Sequence, residues 1–351
     1  MKTYLVTGGA GFIGSNFVHY MLNKYSDIKI INVDLLTYAG NLENLKEVEN
    51  NPNYRFVNAD ITNKDAIERI FAEEEIDFVV NFAAESHVDR SISDPEIFVK
   101  TNVIGTTNLL NIAKHNWLIG DDEFKEGKKF LHVSTDEVYG SLGETGFFTE
   151  DTPLDPHSPY SASKASSDLM AKAYHDTYKM PINITRCSNN YGPYQFPEKL
   201  IPLVINNCLN NTDIPVYGDG LNIRDWLYVE DHCKAIDMVI NNGRLGEVYN
   251  IGGHNERTNI QIIKTIINYL NEKVNGNITE DLIKYVKDRK GHDRRYGIDP
   301  TKITNELGWE PETKFEDGII KTIEWYLSNK EWMENITNET YQEYYNKTYN
   351  K

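Results

Sequence analysis

The sequence predicts an α/β protein built on a doubly wound parallel sheet, and three observations predict it. Short apolar runs alternate with helix-spaced ones from residue 1 to about 186, the pattern of parallel strands joined by right-handed crossovers. The first run, Tyr4-Leu5-Val6-Thr7, leads directly into Gly9-Ala10-Gly11-Phe12-Ile13-Gly14, a glycine turn between strand and helix. Polar residues crowd at the ends of later runs, where sheets of this class bind their ligands. The predicted organisation is a Rossmann sheet over residues 1–186, with 225–255 returning to it. A smaller, mostly C-terminal α/β substrate region takes 187–224 and 256–330, and 331–351 forms a peripheral polar segment.

The elements can be justified in order. Gly9, Gly11 and Gly14 form Gly-x-Gly-x-x-Gly, and Gly8 adds an overlapping frame. Glycines let the chain turn tightly, let its backbone approach a pyrophosphate, and let a helix over Ser15 to Tyr25 pack against the strand with its N-terminus on the phosphates. The next run, Ile28-Lys29-Ile30-Ile31-Asn32-Val33, ends in Asp34, 20 residues after Gly14, where an acid accepts hydrogen bonds from an adenosine ribose. A carboxylate there repels a 2'-phosphate, and Leu35-Leu36 bring no arginine to welcome one, so NAD is expected rather than NADP. Tyr54 to Ala59 runs into Asp60-Ile61, suited to the adenine. Asp77 to Phe82 runs into Ala83-Ala84-Glu85-Ser86, whose small residues leave room for the nicotinamide ribose.

Lys129-Phe130-Leu131-His132-Val133-Ser134 is the next strand, and Thr135-Asp136-Glu137 stands at its carboxyl end. Tyr-x-x-x-Lys occurs at least five times, at Tyr20, Tyr25, Tyr160, Tyr269 and Tyr326. The spacing alone serves a solvated helix face equally well. Only Tyr160-Lys164 follows a helix-start signal, Pro156-His157-Ser158-Pro159, and opens a run of small residues that allows close packing. An acid, a carboxylate base and a Tyr/Lys pair in one neighbourhood suggest oxidation combined with elimination.

Composition bounds the partners. With 351 residues and 40% hydrophobic content, the chain can bury a large core. A net charge of -17 argues against a nucleic-acid surface, although local arginines and helix ends still suit an anionic nucleotide. Cys187, Cys208 and Cys233 lack metal or disulfide spacing. The expectation is therefore no metal site and a reducing, cytoplasmic setting. No apolar stretch reaches the roughly 20 residues that span a bilayer, so no membrane role is expected.

The motifs together resemble the extended short-chain dehydrogenase/reductase superfamily, and Thr135-Asp136-Glu137 resembles its dTDP-glucose 4,6-dehydratases in particular. The resemblance runs over residues 1–330 through Gly8 to Gly14, Asp34 to Gly40, Ala83 to Asp89, Tyr160 to Lys164 and Arg186 to Pro193. Lys290 departs from it, standing where the family pattern has proline. The resemblance implies NAD contacts at Gly8, Gly11, Phe12, Ile13, Gly14, Asp34, Leu35, Leu36 and Thr37. It continues them through Asp60, Ile61, Phe82, Ala83, Ala84, Ser86, Thr101, Tyr160, Lys164 and Asn190. It implies dTDP-glucose contacts at Ser86, Thr135, Asn189, Lys199, Leu200, Pro215, Tyr217, Arg224, Asn259 and His292. For Arg224, an ion pair with Asp225 is the alternative.

The family mechanism, so mapped, has Tyr160 take the sugar O4 proton as hydride leaves C4 for NAD, with Lys164 and the cationic nicotinamide lowering the tyrosine pKa. Thr135 orients O4, Glu137 removes the C5 proton, protonated Asp136 donates to the departing C6 hydroxyl, and hydride returns to C6. A homodimer is also implied. The alternatives are another NAD-dependent nucleotide-sugar dehydratase or epimerase, which needs no acid/base pair at 136 and 137 if it only epimerises, or a silent NAD-binding protein.

Overall fold

The computed structural model describes residues 1–337, 341, 343 and 345. Its centre is a seven-stranded, all-parallel sheet. The order across it is Val248–Ile251, Ile182–Cys187, Lys129–Thr135, Phe78–Asn81, Lys2–Thr7, Ile28–Asp34, Tyr54–Asn58. Chain order therefore reverses beside Lys2–Thr7, and the carboxyl ends on either side of that switch point open a crevice. Alternation along the strands supplies two cores. Tyr4, Val6, Ile30 and Val80 face one helical layer, while Leu5, Ile31, Val33 and Val79 face the other, as a sheet covered on both faces requires.

A second, smaller assembly has its own core around Tyr191, Ile205, Val216, Trp226, Ile263 and Ile323. It contains a three-stranded sheet ordered Glu256–Thr258, Ile223–Tyr228, Asn189–Tyr191, and a parallel pair of Ile214–Tyr217 with Ile283–Val286. Within the stretch 225–255, Val248–Ile251 forms the edge of the large sheet. Ile223–Tyr228 pairs instead with Asn189–Tyr191, because Trp226 and Tyr228 pack into the second core beside Tyr191.

The segment expected to be peripheral begins inside the structure. Lys330–Ile336 is helical, with Trp332, Met333 and Ile336 buried in the second core, and Trp332 Nε1 donates to Asn44 Oδ1 at 2.8 Å. The surrounding Asn, Glu and Tyr residues hid this short apolar stripe. Residues 338–340, 342, 344 and 346–351 lie outside the described residues. No helix among the described residues is long and apolar enough to cross a membrane.

Candidate active site

The glycine turn is forced by packing. Gly8 has φ +71 and a Cβ there would sit 2.6 Å from Ala83 N, while a Cβ on Gly14 would collide with the Gly8 carbonyl oxygen. At Gly11 a Cβ would meet only that carbonyl, at 3.3 Å, and would otherwise occupy the cavity that Gly11 lines. Gly11 also caps the helix Phe12–Lys24 with no side-chain acceptor on its first N–H groups, which leaves them for an anion. Asp34 ends the adjacent strand and accepts from Ala10 N at 3.0 Å and Leu36 N at 2.8 Å. Burial raises its carboxyl pKa, and those two donors oppose the rise. A glycine cradle that a Cβ would fill, an uncapped helix start and a ribose-side carboxylate fit a dinucleotide.

The cavity runs along the carboxyl ends of the strands. Gly8, Gly11, Phe12, Ile13, Gly14, Asp34, Leu35, Thr37, Asp60 and Ile61 line one end. Phe82, Ala83, Ala84, Ser86, Thr101, Thr135, Glu137, Tyr160, Lys164, Asn189, Asn190 and Lys199 line the rest. Of the residues expected at NAD, Leu36 does not reach the cavity. With φ +57, which Asp34 fixes by accepting from its N–H, it packs on the core instead.

Three of the groups expected to be catalytic, Thr135, Asp136 and Glu137, stand where the strand Lys129–Thr135 ends. Thr135 caps the short turn Asp136–Tyr139, its Oγ1 accepting from Glu137 N at 3.3 Å. Asp136 is 1% exposed, and its Oδ2 is buried without a hydrogen bond. Burial first, then the charges of Glu137 and Asp225, push its pKa well above the carboxylate range. Glu137 lines the cavity. Burial raises its pKa too, but Arg289, Arg224 and Lys199 pull it down. Both carboxyls are therefore raised, Asp136 well above its ordinary value and Glu137 against the opposing pull of three cations, and two carboxyls in differing settings can supply one acid and one base.

The Tyr/Lys pair differs from expectation. Tyr160 and Lys164 share the cavity wall, yet Lys164 Nζ donates to Val133 O at 2.8 Å. Tyr160 stands well above its ordinary pKa, raised by burial and then by Glu137, while a hydrogen bond with Thr135 opposes. Burial lowers Lys164 to about 8.

Leu200, Pro215, Tyr217, Arg224, Asn259 and His292 lie outside the cavity wall. Leu200 opens the helix Leu200–Leu209 and Asn259 the helix Asn259–Lys273, while Pro215 and Tyr217 share a strand of the second assembly. Tyr217 OH donates to Asp89 Oδ2 at 3.2 Å, and its ring lies edge-on to His292 at 6.2 Å. Arg224 is not paired with Asp225, whose oxygens accept from Gly253 N and Asn255 N. Its Nη1 and Nη2 donate to the Ile223 and Asp293 carbonyls at 2.7 and 2.9 Å, and its guanidinium lies 4.2 Å over Tyr296. Lys199, which lines the cavity, and Arg224 and Arg289, which do not, all oppose the rise of Glu137.

Sequence reasoning missed Arg289 and Glu198. Glu198 lines the cavity at 5% exposure, its Oε2 3.5 Å from Arg90 Nε. Its place beside the predicted Lys199 was the available signal.

Such a cavity, with a dinucleotide cradle at one end, a carboxylate and a tyrosine at the other, and a second carboxyl, Asp136, buried behind its wall, defines an NAD-dependent enzyme that joins oxidation to elimination. A profile of the GDP-mannose 4,6 dehydratase family matches residues 5–322, and the chain belongs to that family. It is 52% identical over 345 residues to the dTDP-glucose 4,6-dehydratase of Xanthomonas campestris pv. campestris strain B100, covering 97% of this chain and 98% of that one. The structure of dTDP-glucose 4,6-dehydratase from Bacillus anthracis str. Ames in complex with NAD superimposes with a TM-score of 0.86 at 53% identity, covering 96% and 100% of the two chains. That from Streptomyces venezuelae, with NAD and TYD bound, gives 0.88 at 46%, covering 95% and 99%. The chain is an NAD-dependent hydro-lyase of the nucleotide-sugar 4,6-dehydratase type.

Proposed function

We propose that the chain converts dTDP-glucose to dTDP-4-keto-6-deoxyglucose and water. The observation that carries this reading is that Glu137 opens into the cavity with Tyr160 and Lys164 while its neighbour Asp136 is buried with an unbonded Oδ2. Bound NAD supplies the hydride acceptor at the start and the hydride donor at the end, with no net consumption.

The chain's own groups move the protons. Tyr160 takes the O4 proton while Thr135 orients that oxygen. The ketone acidifies C5–H, which Glu137 removes as base. Asp136, protonated, gives its proton to the leaving C6 hydroxyl, and water departs; as hydride reaches C6, C5 takes a proton back from Glu137, which has exchanged with solvent. Gly8, Gly11, Phe12, Ile13, Gly14 and Asp34 hold the cofactor's adenosine diphosphate end, with Lys199, Arg224 and His292 on the substrate's diphosphate side. In this division of labour the large sheet serves the cofactor and the second assembly the nucleotide sugar.

We further propose a cytoplasmic homodimer. Its three cysteines are buried and free. Val99, Ile104 and Leu169 expose apolar side chains on two helices packed against each other.

The test is incubation with dTDP-glucose in deuterated water. Mass spectrometry should find loss of one water and deuterium at C5; an unchanged, unlabelled sugar would refute the assignment.

A further inference from the structure

We propose that Tyr139 is a positioning residue, which through Arg186 and Asn250 holds the turn bearing Asp136 and Glu137 in register with the helix bearing Tyr160 and Lys164. Tyr139 is the last residue of the turn Asp136–Tyr139 and is 2% exposed. Its hydroxyl donates to Asn250 Oδ1 at 2.8 Å and accepts from Arg186 Nη1 at 2.9 Å. Arg186 Nε in turn donates to Asp168 Oδ2 at 2.8 Å. Asp168 lies four residues after Lys164 on the helix Pro159–Tyr178, one turn further along the same face. On the other side, Asn250 Nδ2 donates to Phe148 O at 3.1 Å, and the Tyr139 and Phe148 rings stack at 5.0 Å.

The chain of bonds thus starts on the element that carries the elimination groups and ends on the element that carries the oxidation groups. Burial lifts the Tyr139 hydroxyl to about 12, so it remains a neutral donor at working pH. The ring already fills the pocket beside Phe148, which leaves the hydroxyl with the task of fixing the angle of the turn. A buried hydrogen-bonded network rigidifies the groups it joins, and a displacement of about 1 Å at reacting groups costs on the order of 10²-fold in rate.

This inference rests on the proposed dehydration, and the experiment separates the two. Tyr139→Phe keeps the ring and removes the hydroxyl. On mixing the variant holoenzyme with dTDP-glucose, kcat should fall about tenfold to a hundredfold with KM little changed. Bound NADH should accumulate, because oxidation at Tyr160 outruns elimination at a displaced turn, and C5 deuterium incorporation should slow with kcat. Thermal melting and NAD content, read alongside, report the fold. Should Tyr139→Phe not fold, Asn250→Ala, which removes the acceptor of the same bond, should give the same split.

Wild-type turnover with unchanged kcat and no accumulated NADH in the variant would overturn the positioning role alone. A variant that loses rate only in proportion to its lost folded fraction would overturn it too. A wild-type enzyme that leaves dTDP-glucose intact would overturn the proposed reaction, and this inference with it.

Discussion

Asp136 and Glu137 are neighbours in sequence whose carboxyl groups occupy opposed settings. Asp136 is sealed beneath the cavity with an unbonded Oδ2, whereas Glu137 opens into the cavity under the field of Lys199, Arg224 and Arg289. Backbone geometry produces this. The strand ends at Thr135 in extended conformation and the chain winds into a tight turn, so successive side chains leave in different directions.

If Glu137 is the C5 base, Glu137→Gln should retain C4 oxidation while dehydration falls. General-base removal costs about 10²- to 10⁴-fold. The variant mixed with dTDP-glucose should therefore show bound NADH by absorbance and little loss of water. Wild-type turnover in Glu137→Gln would remove Glu137 from the base role.

Asp136 makes a prediction about stability. Its folded-state pKa lies well above the ordinary value, about 3.9 for an unfolded chain. Folding therefore binds a proton there, and the associated stability is fully present below about 3.9 and is lost as pH rises through the folded pKa. Asp136→Asn cannot titrate. The melting temperature of the variant minus that of the wild type should rise from pH 4 to pH 8, while dehydration falls. A difference flat with pH would mean that the carboxyl ionises freely and is no protonated acid.

The large sheet was legible because its signals are local. The glycine spacing before Phe12 and the apolar run before Asp34 fix strand, turn and helix without reference to the rest of the chain. Of the expected site, Glu137, Tyr160, Lys164 and the glycine turn line the cavity, while Arg224, Tyr217 and His292 do not. The sequence places Tyr160 and Lys164 together but cannot show that Lys164 spends a hydrogen bond on Val133 O. Nor can it show that Asp225 is occupied by backbone donors, which leaves Arg224 to the carbonyls of Ile223 and Asp293. Arg289 acts on Glu137 through its charge and Glu198 pairs with Arg90 across the fold, and spacing holds no record of either.

Asp34 joins the glycine turn to the strand beside it through Ala10 N and Leu36 N. Asp34→Ala removes both acceptors and the ribose acceptor together. With hydrogen bonds to a charged group worth about 1.5–3 kcal/mol, NAD affinity should fall roughly tenfold to a hundredfold in a fluorescence titration. Unchanged affinity would take Asp34 out of the site.

Arg224 offers the sharpest separation of binding from chemistry. Its guanidinium is buried, stacked on Tyr296, and anchored only through backbone carbonyls among the hydrogen bonds described for it, so its charge is unspent on any carboxylate contact and acts toward the cavity, where it lowers Glu137. If the proposed substrate's diphosphate reaches Arg224, it meets a guanidinium already fixed in place. Arg224→Gln keeps a donor of similar reach and deletes the charge. KM for dTDP-glucose should rise by about 10²-fold, in line with about 2–3 kcal/mol for a charge-assisted contact. The same loss should release Glu137 toward a higher pKa, so the acid limb of the kcat profile should move to higher pH, since the base must be ionised to act. A variant with wild-type KM and an unmoved acid limb would place the diphosphate elsewhere.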